Sequence, residues 1–154
     1  MLLTFTLNGR AVAREIDPSD SLLQVLRDAG CYSVRGACET TNCGICAVWV
    51  DEKPVLSCAY PAPKAEGHKV TTLEGVRSEA EEVMNVLAEE GADQCGFCSP
   101  GFIMTVLAML KELDDPTEEE IKKYLAGNLC RCTGYMSQMR ALKKLYEKRN
   151  QTRE

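Results

Sequence analysis

The spacing of the cysteines constrains this 154-residue chain more than any other feature of its sequence. Eight of the nine cysteines fall into two sets of four. The first set has the spacing C-x4-C-x2-C-x11-C and comprises Cys38, Cys43, Cys46 and Cys58. The second set combines C-x2-C with C-x-C and comprises Cys95, Cys98, Cys130 and Cys132. We expect the fold to gather four thiols at each of two places.

Disulfide bonds explain these cysteines poorly. The first residues, MLLTFTLNGRAVAREID, lack the basic start and sustained apolar stretch of a secretory signal, so we expect a cytoplasmic protein. The cytoplasm keeps thiols reduced, and nine cysteines cannot all pair. No run approaches the roughly 18 apolar residues of a membrane span. Clustered cysteines in this setting more often bind metal or carry out redox chemistry.

The charge distribution argues against a nucleic-acid partner. The formal net charge is −5 at pH 7, and neither half of the chain is basic. The exception is the segment 140–153, RALKKLYEKRNQTR, with six basic groups against one acidic group. This segment fits either a solvated helix end with cations near its C-terminus or a tail that docks on a partner.

Residues 1–76 have the alternation and turn residues of a small α+β unit. LLTFTL and AVAREI flank the dipeptide Asn8-Gly9, a strong hairpin signal. SDSLLQVLRDAG has a Ser/Asp cap, apolar residues at helical spacing and a glycine stop. AVWVDEKPVLSC predicts two strands around a polar turn at 51–54, and HKVTTLEGV predicts a last strand. Residues 31–46 lack periodicity, and a bound metal would explain so long a loop.

Residues 77–154 have helical periodicity instead. Helices are predicted over SEAEEVMNVLAEEG and over SPGFIMTVLAMLKEL, with Pro100 in the first turn. Thr117 and Glu120 form a capping box at the start of TEEEIKKYLAG, which Gly127 is expected to end. YMSQMRALKKLYEK predicts the fourth helix. The sequence thus predicts an α+β fold with two domains, 1–76 and 77–154.

The first cysteine set matches an iron–sulfur site better than its alternatives. C-x4-C-x2-C is the spacing of plant-type [2Fe–2S] sites. Gly44, directly after the second cysteine, leaves room for the backbone to approach the cluster sulfurs. Structural zinc sites usually use two C-x2-C elements, whereas only Cys43 and Cys46 form such a pair here. A thioredoxin-type use of CGIC needs a following helix, and AVWV predicts a strand.

The second set, within QCGFCSPG and LCRCTGY, leaves zinc as a serious alternative by spacing alone. Both cysteine pairs precede predicted helices, whose N-terminal N–H groups favour thiolates and anionic clusters. The ninth cysteine, Cys31, is predicted to be a buried small hydrophobe. His68 is the only histidine and is predicted on the surface. A Rieske centre needs two histidines and is excluded within this chain.

In combination, these motifs resemble the small iron–sulfur subunit of the molybdenum hydroxylases, the xanthine dehydrogenase and aldehyde oxidase family. The resemblance covers roughly residues 1–148 and is most specific in CETTNCGIC, QCGFCSPG and GNLCRCTGY, in this order. It implies an N-terminal plant-ferredoxin-like β-grasp domain and a C-terminal four-helix domain, each with a [2Fe–2S] cluster. All eight clustered cysteines are then cluster ligands, and zinc becomes a remote alternative for the second set.

The resemblance also implies partners and an order of electron transfer. In this family the C-terminal cluster is nearest the molybdopterin of a large subunit. The N-terminal cluster passes electrons on, usually to FAD on a medium subunit. Gln94 matches a glutamine that contacts the pterin, and Cys132 is expected beside the pterin as well. The whole complex would oxidise a purine, another N-heterocycle or an aldehyde.

No catalytic residue is expected in this chain itself. It has no nucleotide-binding glycine motif and no candidate base near a substrate pocket, so its cofactors would do the chemistry. Two other functions fit the residues alone: a free-standing two-cluster ferredoxin, and a zinc-stabilised interaction module without redox activity.

Three residues depart from the family pattern. Ala37 and Thr41 stand where glycine is frequent, so a loop that needs a positive φ there would follow a different path. Ile45 replaces a commoner alanine between the second and third cysteines.

Overall fold

The first half of the chain forms a five-stranded mixed sheet. A computed structural model describes residues 1–153, and its strands are β1 (Leu2–Leu7), β2 (Arg10–Glu15), β3 (Ala47–Val50), β4 (Lys53–Leu56) and β5 (Lys69–Thr71). The strand order is β2-β1-β5-β3-β4, in which β1 and β5 are parallel and all other neighbours are antiparallel. Helix α1 (Leu22–Asp28) is capped by the Ser21 side chain. The predicted α+β class is confirmed.

Both hairpins close through two residues in the left-handed region. Asn8 and Gly9 have φ values of 50° and 79°, as expected for the predicted hairpin. The second turn is shorter than the predicted segment 51–54, because β4 already begins at Lys53. Asp51 and Glu52 make this turn with φ values of 48° and 67°. The Asp51 carboxylate accepts a 2.9 Å hydrogen bond from the Lys69 N–H, which holds the tight turn against β5.

Strand β3 is the structural centre of the molecule because it is buried along its whole length. Val48 and Val50 belong to the apolar core of the first half. Trp49 points the other way and packs among residues of the helical half. Its Nε1–H donates to the Met104 carbonyl at 3.0 Å, and only 3% of the residue is exposed. One strand therefore anchors both cores.

The second half is helical, and α3 is its most buried element. The helices are α2 (Arg77–Glu89), α3 (Ser99–Glu112), α4 (Glu118–Tyr124) and α5 (Met136–Arg153). Both hydrogen bonds of the predicted capping box, between Thr117 and Glu120, are present at the start of α4. The expectation that Gly127 ends this helix is wrong, since α4 stops at Tyr124 with Leu125 as its cap. The chain leaves the helix early and brings residues 127–128 against Gly44.

The division at residue 76 stays a prediction, and Glu154 at the end of the predicted second domain lies outside the described residues. No helix in the described part of the chain is long and apolar enough to cross a membrane.

Most cations of the basic segment 140–153 are used within the molecule. Arg140 and Lys144 pair with Glu90, and Lys148 pairs with Glu89, so these contacts join α5 to α2. Each exposed ion pair of this kind adds only about 0–1 kcal/mol to the free energy of unfolding. The side chain of Arg153 lies outside the described part of the chain.

Candidate metal centres

The first cysteine set lies mainly on a long irregular loop. Residues 29–46 contain no helix or strand, and Cys58 follows β4. Within the set, the thiols approach each other in two pairs, Cys38 with Cys43 and Cys46 with Cys58. The structure therefore brings all four predicted ligands together and arranges them two by two.

Backbone N–H groups converge on the sulfur of Cys38. Hydrogen bonds from Thr40, Asn42 and Cys43 lower the pKa of Cys38 to about 6, with Thr40 contributing most. The Asn42 N–H lies 3.4 Å from the Cys38 sulfur. Donors aimed at sulfur favour the thiolate form, which is the form that binds metal.

The loop that surrounds the Cys38 sulfur holds two non-glycine residues at unfavourable backbone angles. Glu39 and Thr41 have φ values of 52° and 60°. Threonine is β-branched, and residues of this kind are rare outliers in the left-handed region. Ala37 has no positive φ. Of the two residues that stand where glycine is frequent in the family, only Thr41 therefore lies where a glycine would relieve strain.

The second cysteine set joins two loops, each followed by a helix. Cys98 is the N-cap of α3, and Cys130 and Cys132 lie shortly before α5. The thiols again approach in pairs, Cys98 with Cys130 and Cys95 with Cys132. The first pair is half-buried and the second is exposed. The site therefore has an inner and an outer pair of thiols.

Hydroxyl and backbone donors surround the inner pair. Burial raises the pKa of Cys130, but hydrogen bonds from Thr133 outweigh it, so the pKa is lowered overall. The Thr133 Oγ1–H donates to the Cys130 sulfur at 3.3 Å. Burial raises the pKa of Cys98 to about 12. One thiolate of the inner pair is thus already stabilised by the protein.

The donor sets fit a two-iron cluster at each site. A [2Fe–2S] cluster is held by four thiolates, two on each iron, and both sites offer four thiols in two close pairs. A structural zinc ion takes all four ligands on one centre. Among residues 1–153, no three His, Cys, Asp or Glu side chains converge on a point suited to one metal ion. The pairing of the thiols favours [2Fe–2S] clusters over zinc.

The two sites touch through their backbones. The Leu129 N–H donates to the Cys43 carbonyl at 2.9 Å. Gly44, with φ of 71°, lies so close to Gly127 that a Cβ atom would be 2.3 Å from its carbonyl oxygen. The space between the two sites has no room for a water molecule. Residues from both cysteine sets and from α3 line it: Cys43, Gly44, Ile45, Cys98, Phe102, Asn128, Leu129, Cys130 and Gln138. Ligands of both predicted clusters therefore face one dry space.

Asn128 holds this contact from the helical side. Its buried amide donates to Thr105 Oγ1 at 3.1 Å and lies 3.4 Å from the Gly44 carbonyl. Sequence reasoning missed Asn128, because nothing in GNLCRCTGY indicates that it meets a loop more than 80 residues away.

The outer pair of thiols lies in an exposed surface that includes apolar residues. Gln94 is exposed, and no hydrogen-bond partner for its side chain is found among residues 1–153. Large apolar side chains near the cysteines in sequence are also exposed: Phe97, Leu129, Tyr135 and Met136. Such a surface is typical of a protein–protein contact.

The remaining singled-out residues lie where the sequence predicted. Cys31 is 6% exposed and packs in the apolar core of the first half, and burial raises its pKa. His68 is exposed and contacts Asp51.

Comparison with known proteins agrees with this geometry. Residues 5–73 match the 2Fe-2S iron-sulfur cluster binding domain, and residues 72–143 match the [2Fe-2S] binding domain. The nicotinate dehydrogenase small FeS subunit of Eubacterium barkeri is 41% identical over 137 residues, which is 87% of this chain and of that protein. The xanthine dehydrogenase iron-sulfur-binding subunit of Escherichia coli O157:H7 is 45% identical over 134 residues, which is 84% of both.

A solved structure shows the same likeness in three dimensions. Quinoline 2-oxidoreductase from Pseudomonas putida 86 has a chain that superposes with a TM-score of 0.88 at 32% identity, covering 98% of this chain and 96% of that one. The chain therefore belongs to the small iron–sulfur subunits of the molybdenum hydroxylases, the electron-transferring and non-catalytic subunits of these oxidoreductases.

Proposed function

We propose that this chain conducts single electrons between a molybdopterin-containing large subunit and FAD on a further subunit. The N-terminal cluster is held by Cys38, Cys43, Cys46 and Cys58. The C-terminal cluster is held by Cys95, Cys98, Cys130 and Cys132. Each cluster, when bound, supplies a site that accepts and releases one electron. The chain supplies the thiolates, the hydrogen bonds to sulfur and the exclusion of water between the sites.

The observation that carries this proposal is the direct contact between the sites. Leu129 precedes Cys130 in sequence and donates its N–H to the Cys43 carbonyl. A ligand of one cluster is thus joined to a ligand of the other by covalent bonds and one hydrogen bond. A zinc-stabilised interaction module has no need of such a connection.

The exposure of the thiols supports an order of transfer. The outer pair, Cys95 and Cys132, is exposed beside Gln94, whereas the inner pair faces Cys43. We assign the outer pair to the molybdopterin subunit. The Gln94 amide can donate and accept at once, so it would match a pterin edge without burying a charge. Cys132 would lie beside the pterin as well.

The N-terminal site would pass the electrons on to the FAD subunit. Cys38 and Cys58 are partly exposed and line a surface hollow with Gln24 and Arg27. We assign this hollow to the side of the chain that faces the FAD subunit.

The relatives' names suggest a substrate class for the whole complex. Nicotinate, xanthine and quinoline are all aromatic N-heterocycles. We propose an N-heterocycle as the substrate, with a purine as the first candidate and an aldehyde as the alternative from the wider family. The reduced thiols of both sites fit the cytoplasm.

Anaerobic purification of the native complex tests the proposal. Electron paramagnetic resonance should show two different reduced [2Fe–2S] signals, and a molybdenum-containing subunit should co-purify. Two signals without any partner would favour a free ferredoxin instead. A colourless chain that contains zinc would overturn both redox functions.

A further inference from the structure

We propose that Arg35 is a positioning residue that fixes the Cys95–Cys98 loop and raises the reduction potential of the C-terminal cluster. This inference rests on the proposed function, since it concerns a cluster held by the second cysteine set. Arg35 itself belongs to the loop of the first cysteine set, so its effect would cross from one site to the other.

The contacts of Arg35 cross from one site to the other. Arg35 lies three residues before Cys38, in the loop of the first set. Its Nη1–H groups donate to the Gly96 carbonyl at 2.8 Å and to the Phe97 carbonyl at 3.0 Å. The centre of the guanidinium also lies 5.2 Å from the centroid of the Phe97 ring, a cation–π contact. Both accepting carbonyls belong to the two residues between Cys95 and Cys98.

These contacts fix the direction of two peptide groups. In a trans peptide the C=O and the following N–H point to opposite sides. When Arg35 holds the Gly96 and Phe97 carbonyls, the N–H groups of Phe97 and Cys98 point away from it. Arg35 thus leaves these two N–H groups free to donate to cluster or thiolate sulfur on the other side of the loop, and hydrogen bonds of this kind tune a cluster.

The charge of Arg35 acts in the same direction. A guanidinium stays protonated at any pH in the physiological range, so Arg35 provides a permanent positive charge. Among the described residues, it forms no ion pair with a carboxylate. Reduction adds one electron to the cluster and no proton to Arg35. A nearby positive charge stabilises the more negative, reduced form, and this raises the potential.

Three substitutions separate charge from hydrogen bonding. Arg35→Gln removes the charge and most of the donors. Arg35→Lys keeps the positive charge but replaces the planar guanidinium, whose N–H groups can reach two carbonyls at once, with a compact ammonium group. Arg149→Gln is the matched control, because Arg149 also donates to a carbonyl, that of Leu110 at 3.2 Å, but lies on α5 away from the Cys95–Cys98 loop.

The first readout is the ratio of reduced C-terminal cluster to reduced N-terminal cluster when the chain holds one added electron. It is measured by redox titration with electron paramagnetic resonance. Arg35→Gln should shift this ratio toward the N-terminal cluster about tenfold, which is about 59 mV for one electron. Arg35→Lys should stay within about threefold of the wild-type ratio, because the charge remains. Arg149→Gln should leave the ratio unchanged, because Arg149 lies outside both sites.

The second readout is amide hydrogen exchange in residues 94–99 of the iron-loaded chain. Exchange at Phe97 and Cys98 should rise in both Arg35 variants and not in Arg149→Gln. If Arg35→Gln loses its C-terminal cluster, Arg35→Lys alone decides. Faster exchange at Phe97 and Cys98, together with an electron ratio shifted toward the N-terminal cluster by up to about threefold, supports the inference. Unchanged exchange or an unshifted ratio overturns it. An unchanged electron ratio in an iron-replete Arg35→Gln chain overturns the inference too. Absence of iron from the wild-type chain would instead refute the proposed function.

Discussion

The Leu129 N–H donates a 2.9 Å hydrogen bond to the Cys43 carbonyl, so the two cysteine sets meet through their own backbones. This approach depends on small residues. A Cβ atom on Gly101 would lie 2.5 Å from the carbonyl oxygens of Gly44 and Ile45. The spacing between the candidate clusters is therefore set by glycines on both sides of the contact.

We expect Gly101→Ala to destabilise the protein although alanine is the better helix former. Helix propensity favours alanine by about 1 kcal/mol at most, whereas overpacking against backbone costs about 1–3 kcal/mol. Thermal unfolding should show that the free energy of unfolding falls by about 1 kcal/mol. Freeze-quench spectroscopy should show slower electron transfer between the clusters. Gly127→Ala is the control, because its Cβ would meet no atom within 4 Å. Equal stability of Gly101→Ala and the wild type would show that the contact adapts easily.

Cys43→Ser and Cys98→Ser should each remove one cluster and spare the other. The thiols pair within the two sets and not between them. Iron analysis should fall from about four to about two atoms per chain in each variant. Cys31→Ala is the control and should retain all the iron, with a packing loss on the order of 1 kcal/mol. Loss of both clusters in either serine variant would indicate that the two sites cannot assemble independently.

Thr41→Gly should stabilise the first cysteine loop. A non-glycine residue in the left-handed region costs about 1–3 kcal/mol, and glycine in the unfolded chain costs about 0.5–1 kcal/mol, so the net gain is about 1 kcal/mol. The measurement is the rate at which a chelator removes iron, which should fall. Ala37→Gly, at a position without positive φ, should release iron no more slowly than the wild type. Similar rates for all three proteins would mean that the strain is relieved when the cluster binds.

Glu74→Gln should reduce stability at neutral pH and not at acidic pH. The Glu74 carboxylate accepts hydrogen bonds from the Ser33 N–H at 3.0 Å and from the Ser33 and Thr72 hydroxyls at 2.6 and 2.5 Å. Burial raises the pKa of Glu74, but these bonds outweigh it, so the pKa lies below its ordinary value of 4.5. A lowered folded-state pKa means that the stabilisation is complete above pH 4.5 and is lost as the pH falls through the folded-state value.

The free energies of unfolding of the wild type and Glu74→Gln, measured by denaturant titration at several pH values, should therefore differ most near pH 7. The expected difference is about 1 kcal/mol after allowance for the partial exposure of the carboxylate. The difference should shrink below pH 4.5. Glu82→Gln, an exposed substitution on α2, should show no such trend. A difference that does not vary with pH would assign the Glu74 effect to packing.

Gln94→Ala should keep both clusters and the complex but slow electron arrival at the C-terminal cluster. One hydrogen bond is worth about 0.5–1.5 kcal/mol, too little to disrupt a large interface. Rapid-freeze spectroscopy after mixing with substrate would follow both clusters in time. Unchanged kinetics in Gln94→Ala would exclude the proposed contact with the pterin. Reduction of the N-terminal cluster before the C-terminal one in the wild type would contradict the proposed order.

Local patterns were sufficient to predict much of the framework. The hairpin at Asn8-Gly9 and the capping box of Thr117 with Glu120 involve residues a few positions apart, so their geometry follows from neighbouring side chains and backbone angles. The two errors of detail, the turn at 51–54 and the helix end at Gly127, occur where a distant contact overrides local preference. Lys69 holds the first of these segments, and Gly44 meets the second.

The sequence by itself determined that two sets of four cysteines exist and which kind of cofactor suits them, because ligand spacing and donor chemistry are properties of short segments. Only the tertiary structure decided which thiols pair, which pair is exposed, and that Arg35 and Asn128 each reach the other site. These contacts join residues up to 84 positions apart, and they form only when α3 packs against β3. Long-range packing of this kind depends on the shapes of both cores at once, and no single stretch of sequence contains that information.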